Sequence, residues 1–144
     1  MLSKGEDNLK KKIVKLAFLV LVLCVLFFVG LFYYFHSTIR ISDGSFGVAK
    51  FIYGDMKIER KISDENLNRL IDVFEGKTLK IDSPSCGFTE NVSVKIDNKT
   101  FCIACDTCGV IYLLEEDKYF YLSDEENETI RKILESYGFE FPCI

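Results

Sequence analysis

Histidine, tryptophan and phosphate-binding loops are scarce or absent in this chain of 144 residues. The single histidine, His36, directly follows a long apolar run, and no tryptophan or glycine-rich phosphate loop occurs. Serine and cysteine nucleophiles are usually activated by a histidine, so a Ser-His or Cys-His hydrolytic site is not expected beyond this run. The sequence therefore favours a non-enzymatic function, and we predict no catalytic and no cofactor-binding residue.

Charge is missing from one long region of the chain. No Asp, Glu, Lys or Arg lies between Leu16 and Arg40, and the run from Ile13 to Phe35 contains Lys15 as its only charge. Twenty helical residues rise about 30 Å, which matches the hydrocarbon core of a bilayer. A segment in that core must be helical, because no water is present to satisfy its backbone amides. The run therefore predicts a transmembrane helix over residues 13–35, with the lipid bilayer as its partner.

The two flanks of this run differ in charge, which predicts its orientation. Residues 1–12 carry four lysines against Glu6 and Asp7, and Arg40 is the first basic residue after the run. Lysine excess at one end of a span keeps that end in the cytoplasm. We therefore predict a signal-anchor protein that crosses the cell membrane once, with a cytoplasmic basic tail at 1–12 and an extracellular C-terminal domain. A cleaved signal peptide is disfavoured, because its apolar region is usually about 7–15 residues long.

After the run, basic residues are too few to attract polyanions. Residues 36–45 are predicted to form a spacer, and residues 46–144 one small extracytoplasmic domain. From Ser37 onward, acidic residues outnumber basic residues by seven. This balance offers no attraction for nucleic acid, which we therefore exclude as a partner.

Three hairpins are predicted in the domain. Strand-like runs flank a Gly-Asp pair at 54–55, an Asn-Lys pair at 98–99 and a Glu-Asp pair at 116–117. Each arrangement is typical of two antiparallel strands joined by a tight turn. With the central turn at 98–99, Ile96 is expected to lie opposite Phe101.

Two amphipathic helices are also predicted. Ser63 precedes two acidic residues and an apolar pattern of helical spacing, and Ser123 begins a capping box that ends at Glu126. The predicted fold class is therefore α+β: one N-terminal transmembrane helix followed by a small antiparallel sheet with two amphipathic helices.

Five of the six cysteines lie beyond the apolar run: Cys86, Cys102, Cys105, Cys108 and Cys143. A small domain in an oxidising compartment gains stability from disulfides. Cys105 and Cys108 can meet across a tight turn, and Cys86 and Cys143 occupy matching places after the two helices. These four are our disulfide candidates, but spacing alone does not fix their pairing.

The same cysteines allow two further interpretations. Cys102, Cys105 and Cys108 show the Cys-x2-Cys spacing of zinc ligands, and Cys86 or Cys143 could complete four ligands of a structural zinc site. A redox-active pair at Cys105 and Cys108 would need a helix N-terminus to activate it, whereas a strand is predicted to follow Cys108. Buried thiols that simply pack are the remaining alternative.

The functional hypothesis follows from the predicted anchor and domain. We expect a membrane-anchored module that binds another component of the cell envelope, a protein partner included. A thiol-redox or zinc-dependent activity centred on Cys102, Cys105 and Cys108 is the alternative. The aromatic hairpin around Tyr112 and Tyr119 either packs in the core or offers rings to a ligand.

Overall fold

The structure is a computed structural model that describes residues 3–35, 37–42, 46–106 and 108–141. It divides into two compact units, Met1–His36 and Ser37–Ile144. The first unit is one long helix, α1 (Ser3–Phe35). Among the described residues, its stretch Lys11–Phe35 is the one helix long and apolar enough to cross a membrane. The predicted apolar helix is therefore present, and the membrane-length stretch within it begins two residues before Ile13.

In the described residues, the second unit is a six-stranded antiparallel sheet with two helices, in the strand order β2-β1-β3-β4-β5-β6. The elements are β1 (Gly47–Tyr53), β2 (Met56–Lys61), α2 (Asp64–Phe74), β3 (Val92–Ile96), β4 (Lys99–Ile103), β5 (Val110–Leu113), β6 (Lys118–Tyr121) and α3 (Asp124–Ser136). A short 3-10 turn, Leu114–Glu116, lies between β5 and β6. The predicted α+β fold of mixed helix and antiparallel sheet is confirmed.

Both predicted helix N-caps are formed. The Ser63 hydroxyl accepts from the Asn66 amide at 3.4 Å, and the Ser123 hydroxyl accepts from the Glu126 amide at 3.3 Å. Glu126 completes the capping box by accepting from the Ser123 amide at 2.8 Å. Each such cap stabilises its helix by about 1 kcal/mol. These local bonds fix where the two helices begin.

The core lies between one face of the sheet and the two helices. The Phe74 ring of α2 stacks on Phe101 of β4, with centroids 4.4 Å apart, and contacts Phe120 edge-on. Phe51 of β1 contacts Phe139, which follows α3, at 4.8 Å. The apolar residues that the helices bury are Leu67, Leu70, Phe74, Ile130, Ile133 and Leu134. Burial of each large side chain contributes about 1.5–3 kcal/mol.

The first hairpin has the predicted register, and the central one does not. Phe51 lies opposite Ile58 across the turn at 54–55, as expected. In the central hairpin Ile96 pairs with Lys99 instead of Phe101, so the prediction was wrong by two residues. Asp97 occupies the turn in the left-handed conformation, with φ of 51°.

A contact with β1 explains this shift. The Asp97 carboxylate accepts from the Phe46 amide at 3.0 Å, and the Asp97 amide donates to the Phe46 carbonyl at 3.0 Å. A shift of two residues leaves every side chain on its predicted face, because strand side chains alternate with period two. Phe101 and Ile103 therefore still point into the core.

The segment predicted to be a spacer contacts the domain. Ile39 is fully buried, and its amide donates to the Lys77 carbonyl at 3.0 Å. Three residues after Lys77, Lys80 exchanges two backbone hydrogen bonds with Tyr119 of β6 at 2.7 and 2.9 Å. Backbone pairing thus engages the β6 edge of the sheet at Tyr119.

Candidate functional site

The sheet face that points away from the helices is the candidate site, and we name it the outer face. Cross-strand pairing places one side chain from each strand in a single row across it. From β2 to β6 this row is Glu59, Lys50, Ser93, Cys102, Tyr112 and Tyr119. The row changes from charged to aromatic along its length, so the two halves of the outer face differ in chemistry.

One half is covered by the segment of residues 82–91, and we name it the covered half. The Phe88 ring of this segment lies 5.9 Å from Tyr112 and 5.5 Å from Tyr119, between centroids. The Tyr121 hydroxyl donates to the Asp82 carboxylate at the start of the segment. The Ser93 hydroxyl donates to the Glu90 carbonyl at 2.8 Å near its end. Contacts near the start, in the second half and near the end of the segment therefore hold it against the outer face.

A cysteine pair also fastens the segment. Cys86 and Cys108 lie at disulfide distance, with their Cα atoms 6.8 Å apart. Both are disulfide candidates from the sequence, but the structure joins them to each other and does not join Cys105 to Cys108. Cys105 is half-buried and packs against the core. Cys143 lies outside the described residues.

The structure brings three potential metal ligands together, and they differ from the predicted set. Donor atoms of Cys86, Asp106 and Cys108 lie within 4.8 Å of one another. Cys102 and Cys105, which the sequence offered as zinc ligands, are not in this group. Zinc in structural sites takes four ligands, and thiolates bonded to each other cannot ligate a metal. The arrangement therefore fits a disulfide better than a zinc site.

Cys102 lies fully buried beneath the covered half. Its thiol pKa is raised to about 11, chiefly by burial and also by the nearby carboxylates of Glu90 and Glu115. The nucleophilic form of cysteine is the thiolate, so a thiol with this pKa is unreactive near neutral pH. Cys102 therefore acts as a packed apolar side chain in this structure.

The other half, which we name the open half, contains a groove of about 670 Å³ over β2, β1, β3 and β4. Two lysines, several carboxylates, two small hydroxyl side chains and a few apolar side chains line it. The lining residues are Phe46, Val48, Lys50, Glu59, Glu90, Ser93, Lys95, Asp97, Thr100, Leu114 and Glu115. Its mixture of both charges with apolar surface is typical of a recognition site rather than a packed interior.

The two lysines of the groove form no ion pair within the described residues, whereas one carboxylate at its rim accepts a backbone hydrogen bond. Lys50 lies opposite Ser93, and Lys95 lies opposite Val48, which makes the two lysines diagonal neighbours. No ion pair of Lys50 or Lys95 occurs within the described residues. By contrast, Glu115 accepts from the Thr100 amide at 2.7 Å. The groove therefore offers two cationic donors beside fixed acceptors.

The sequence did not reveal this groove. Lys50 in β1 and Lys95 in β3 each lie between buried apolar neighbours, a pattern that ordinary solvated strands also show. Only the strand order places β1 beside β3 and brings these residues together. Comparison of the chain with protein-family models, curated proteins and solved structures finds no match. Its function must therefore be inferred from its own residues.

Proposed function

We propose that the protein is a membrane-anchored module that binds a protein of the cell envelope through the open half of its outer face. In this proposal α1 spans the membrane with the lysine-rich end in the cytoplasm, and the sheet domain lies outside. The apolar stretch Lys11–Phe35 and the lysines before it support this topology. The Cys86–Cys108 pair is consistent with an oxidising compartment.

The observation that carries the proposal is the pair of lysines without ion-pair partners among the described residues. Lys50 lies opposite Glu59 in register, an arrangement in which opposite charges can stabilise a sheet by pairing. Their charged groups are nevertheless not within ion-pair distance in the structure. Cations held next to apolar and hydroxyl side chains are suited to carboxylates and carbonyls of a ligand.

The chemistry of the groove favours a polypeptide ligand. Glu59, Glu90, Asp97 and Glu115 surround the two lysines, so a uniformly anionic polymer would meet repulsion at the rim. The overall acidic excess of the domain adds to that repulsion. A peptide segment with both charges and some apolar side chains would complement the lysines, the carboxylates and the apolar side chains of the groove.

Site-specific photo-crosslinking in intact membranes tests the proposal. A photoreactive amino acid at Glu59, on the rim of the groove, should crosslink one discrete envelope protein. The same amino acid at Arg69 serves as the control, because Arg69 is exposed on α2, which packs on the opposite face. Reversal of the groove charge by Lys50→Glu with Lys95→Glu should lower the yield of the crosslinked product at least tenfold. Equal capture from both positions, or capture that survives the charge reversal, would refute the binding role of the groove.

A thiol-redox or zinc-dependent activity stays a second proposal, and one observation favours it. The cluster of Cys86, Asp106 and Cys108 supplies three donor atoms within 4.8 Å. Zinc content of the full chain, purified with and without a thiol reductant, tests it. Stoichiometric zinc that Asp106→Ala removes would support a metal site; metal-free protein with a reduction-resistant Cys86–Cys108 bond would exclude one.

A further inference from the structure

The two edges of the sheet differ, and the difference suggests how a ligand binds. The β6 edge is engaged at Tyr119, since Lys80 exchanges two backbone hydrogen bonds with this residue. The β2 edge has no backbone partner within the described residues other than β1. Lys57, Glu59 and Lys61 are exposed along it. An uncovered edge strand presents unpaired amides and carbonyls on which another strand can pair.

The register identifies which groups of β2 point outward. The Ile62 amide, directly after β2, donates to the Gly47 carbonyl of β1 at 2.9 Å. Backbone groups in an antiparallel pair alternate between the two sides of a strand. The amides and carbonyls of Met56, Ile58 and Arg60 therefore face β1, and those of Lys57, Glu59 and Lys61 face outward. The free edge offers three donors and three acceptors in a row.

The side chains of these same three residues lie on the outer face. Glu59 lines the groove, and side chains alternate with period two, so Lys57 and Lys61 share its face. The free edge thus displays positive, negative and positive charge in order. A strand added at this edge would place its own alternate side chains next to these charges and beside the groove.

We infer that the β2 edge is a β-augmentation site for an extended segment of the envelope partner. The segment carries an acidic residue opposite Lys57, a basic residue opposite Glu59 and an acidic residue opposite Lys61. Main-chain hydrogen bonds to β2 supply affinity, and the charge alternation supplies specificity. This inference rests on the proposed function, because it names the binding mode of the same ligand.

A second copy of this chain fits the edge less well. Antiparallel pairing of two β2 strands about Glu59 would place Glu59 opposite Glu59 and Lys57 opposite Lys61. Every pair on the outer face would then join like charges, which is destabilising. A shift of two residues would pair Glu59 with Lys61 twice, but it would shorten the contact and leave Lys57 without a cross-strand partner. A hetero-partner with alternating charge is therefore the occupant that the edge selects.

Binding of a designed peptide to the full chain in lipid nanodiscs tests the inference. The probe is the capped peptide Glu-Val-Lys-Val-Glu, which presents the required alternation in either strand direction; its charge-reversed counterpart Lys-Val-Glu-Val-Lys is the control. Binding is measured by fluorescence anisotropy, and amide exchange over β2 by mass spectrometry. The probe should bind at least tenfold more tightly than its counterpart and should slow exchange in β2.

Variants at one position separate main-chain pairing from charge. Glu59→Pro removes an outward amide, which an edge strand tolerates, and should weaken binding at least tenfold. Glu59→Ala keeps the amide and should weaken binding only a few-fold, while Arg60→Ala, whose amide faces β1, should change nothing. Circular dichroism verifies folding, and Lys57→Pro provides a second variant if Glu59→Pro unfolds.

Three results would overturn the inference: protection of the outward amides of Lys57, Glu59 and Lys61 before peptide is added, equal binding of both peptides, or unchanged binding by the proline variants. Peptide-independent dimers that Glu59→Lys abolishes would instead assign the edge to a second copy, and would also overturn it. If the peptide fails while charge-dependent crosslinking from Glu59 persists, the edge inference falls and the proposed function stands.

Discussion

The two halves of the outer face belong to one six-stranded sheet but differ in what covers them. In the covered half, Phe88 packs on Tyr112 and Tyr119, and the Cys86–Cys108 pair fastens the segment that carries it. In the open half, Lys50 and Lys95 face a groove of about 670 Å³. The comparison teaches that one half of this face is closed by its own chain, whereas the other half keeps a groove lined by charged side chains.

This division follows from the strand sequences. β5 and β6 carry tyrosines on the outer face as well as apolar side chains on the core face, so their outer face needs a cover to remove apolar surface from water. β1 and β3 have lysines at the corresponding positions, and these side chains remain hydrated without a cover. Each prediction below changes one half and leaves the other as its internal control.

The largest effect is expected from Cys86→Ser with Cys108→Ser. The pair closes a loop with a sequence separation of 22, and loss of such a crosslink costs about 3 kcal/mol. Urea unfolding of the full chain in nanodiscs measures it. Cys24→Ser, which changes a cysteine of α1, is the matched control and should leave the midpoint unchanged. An unaltered midpoint in the double variant would show that the pair does not hold the covered half.

A smaller loss of stability is expected from Phe88→Ala. The half-buried ring contacts two tyrosines, so its removal should cost about 1–2 kcal/mol. The same change should speed alkylation of Cys102, which lies beneath the covered half. Phe46→Ala is the comparison variant in the open half, since Phe46 is exposed, and should cost less. Slow alkylation of Cys102 in both variants would mean that Phe88 is not the cover.

Alkaline pH should weaken the covered half through Cys102. Folding raises its thiol pKa from 9.0 to about 11, so the unfolded chain loses its proton first as the pH rises. The stabilisation is complete below pH 9.0 and is lost between 9.0 and about 11. Cys102→Ala should flatten the dependence of the unfolding free energy on pH in this window. The Tyr112 pKa is also raised, to about 12 by its bond to Asp117, so Tyr112→Phe is measured alongside.

The smallest effect on stability is expected from Lys95→Glu in the open half. An exposed substitution of this kind changes the unfolding free energy by about 0.5 kcal/mol or less. Crosslinking from Glu59 should nevertheless fall, because one of two cationic donors becomes an anion. Unfolding of the domain by Lys95→Glu, or unchanged crosslinking from Glu59, would contradict the difference proposed between the two halves.

Local signals in the sequence predicted much of the fold. Ser63 and Ser123 fixed the helix starts because a cap depends on residues three positions apart. The predicted hairpin register at 54–55 is correct because a two-residue turn also depends only on neighbouring residues. The central register failed because Asp97 is held by Phe46, which is 51 positions away in the chain. Such a contact leaves no pattern in neighbouring residues.

The candidate site was harder to predict than the fold. The partner of Cys108 depends on the path of residues 82–91, which carry no strand or helix signal. The groove depends on the strand order, which places β3 beside β1 instead of leaving it next to β2. The sequence identifies the five cysteines beyond the apolar run as the residues of interest. Their roles follow only from burial and proximity, because Cys86 and Cys108 meet and Cys102 is enclosed.

Thiol labelling of sealed right-side-out membrane vesicles tests the account most directly. An impermeant maleimide is applied to the Lys95→Cys variant and to the parent chain. The account predicts that position 95 is labelled rapidly without detergent, while Cys102 stays unlabelled. Labelling of position 95 only after detergent is added, or labelling of Cys102 at the same rate, would contradict it.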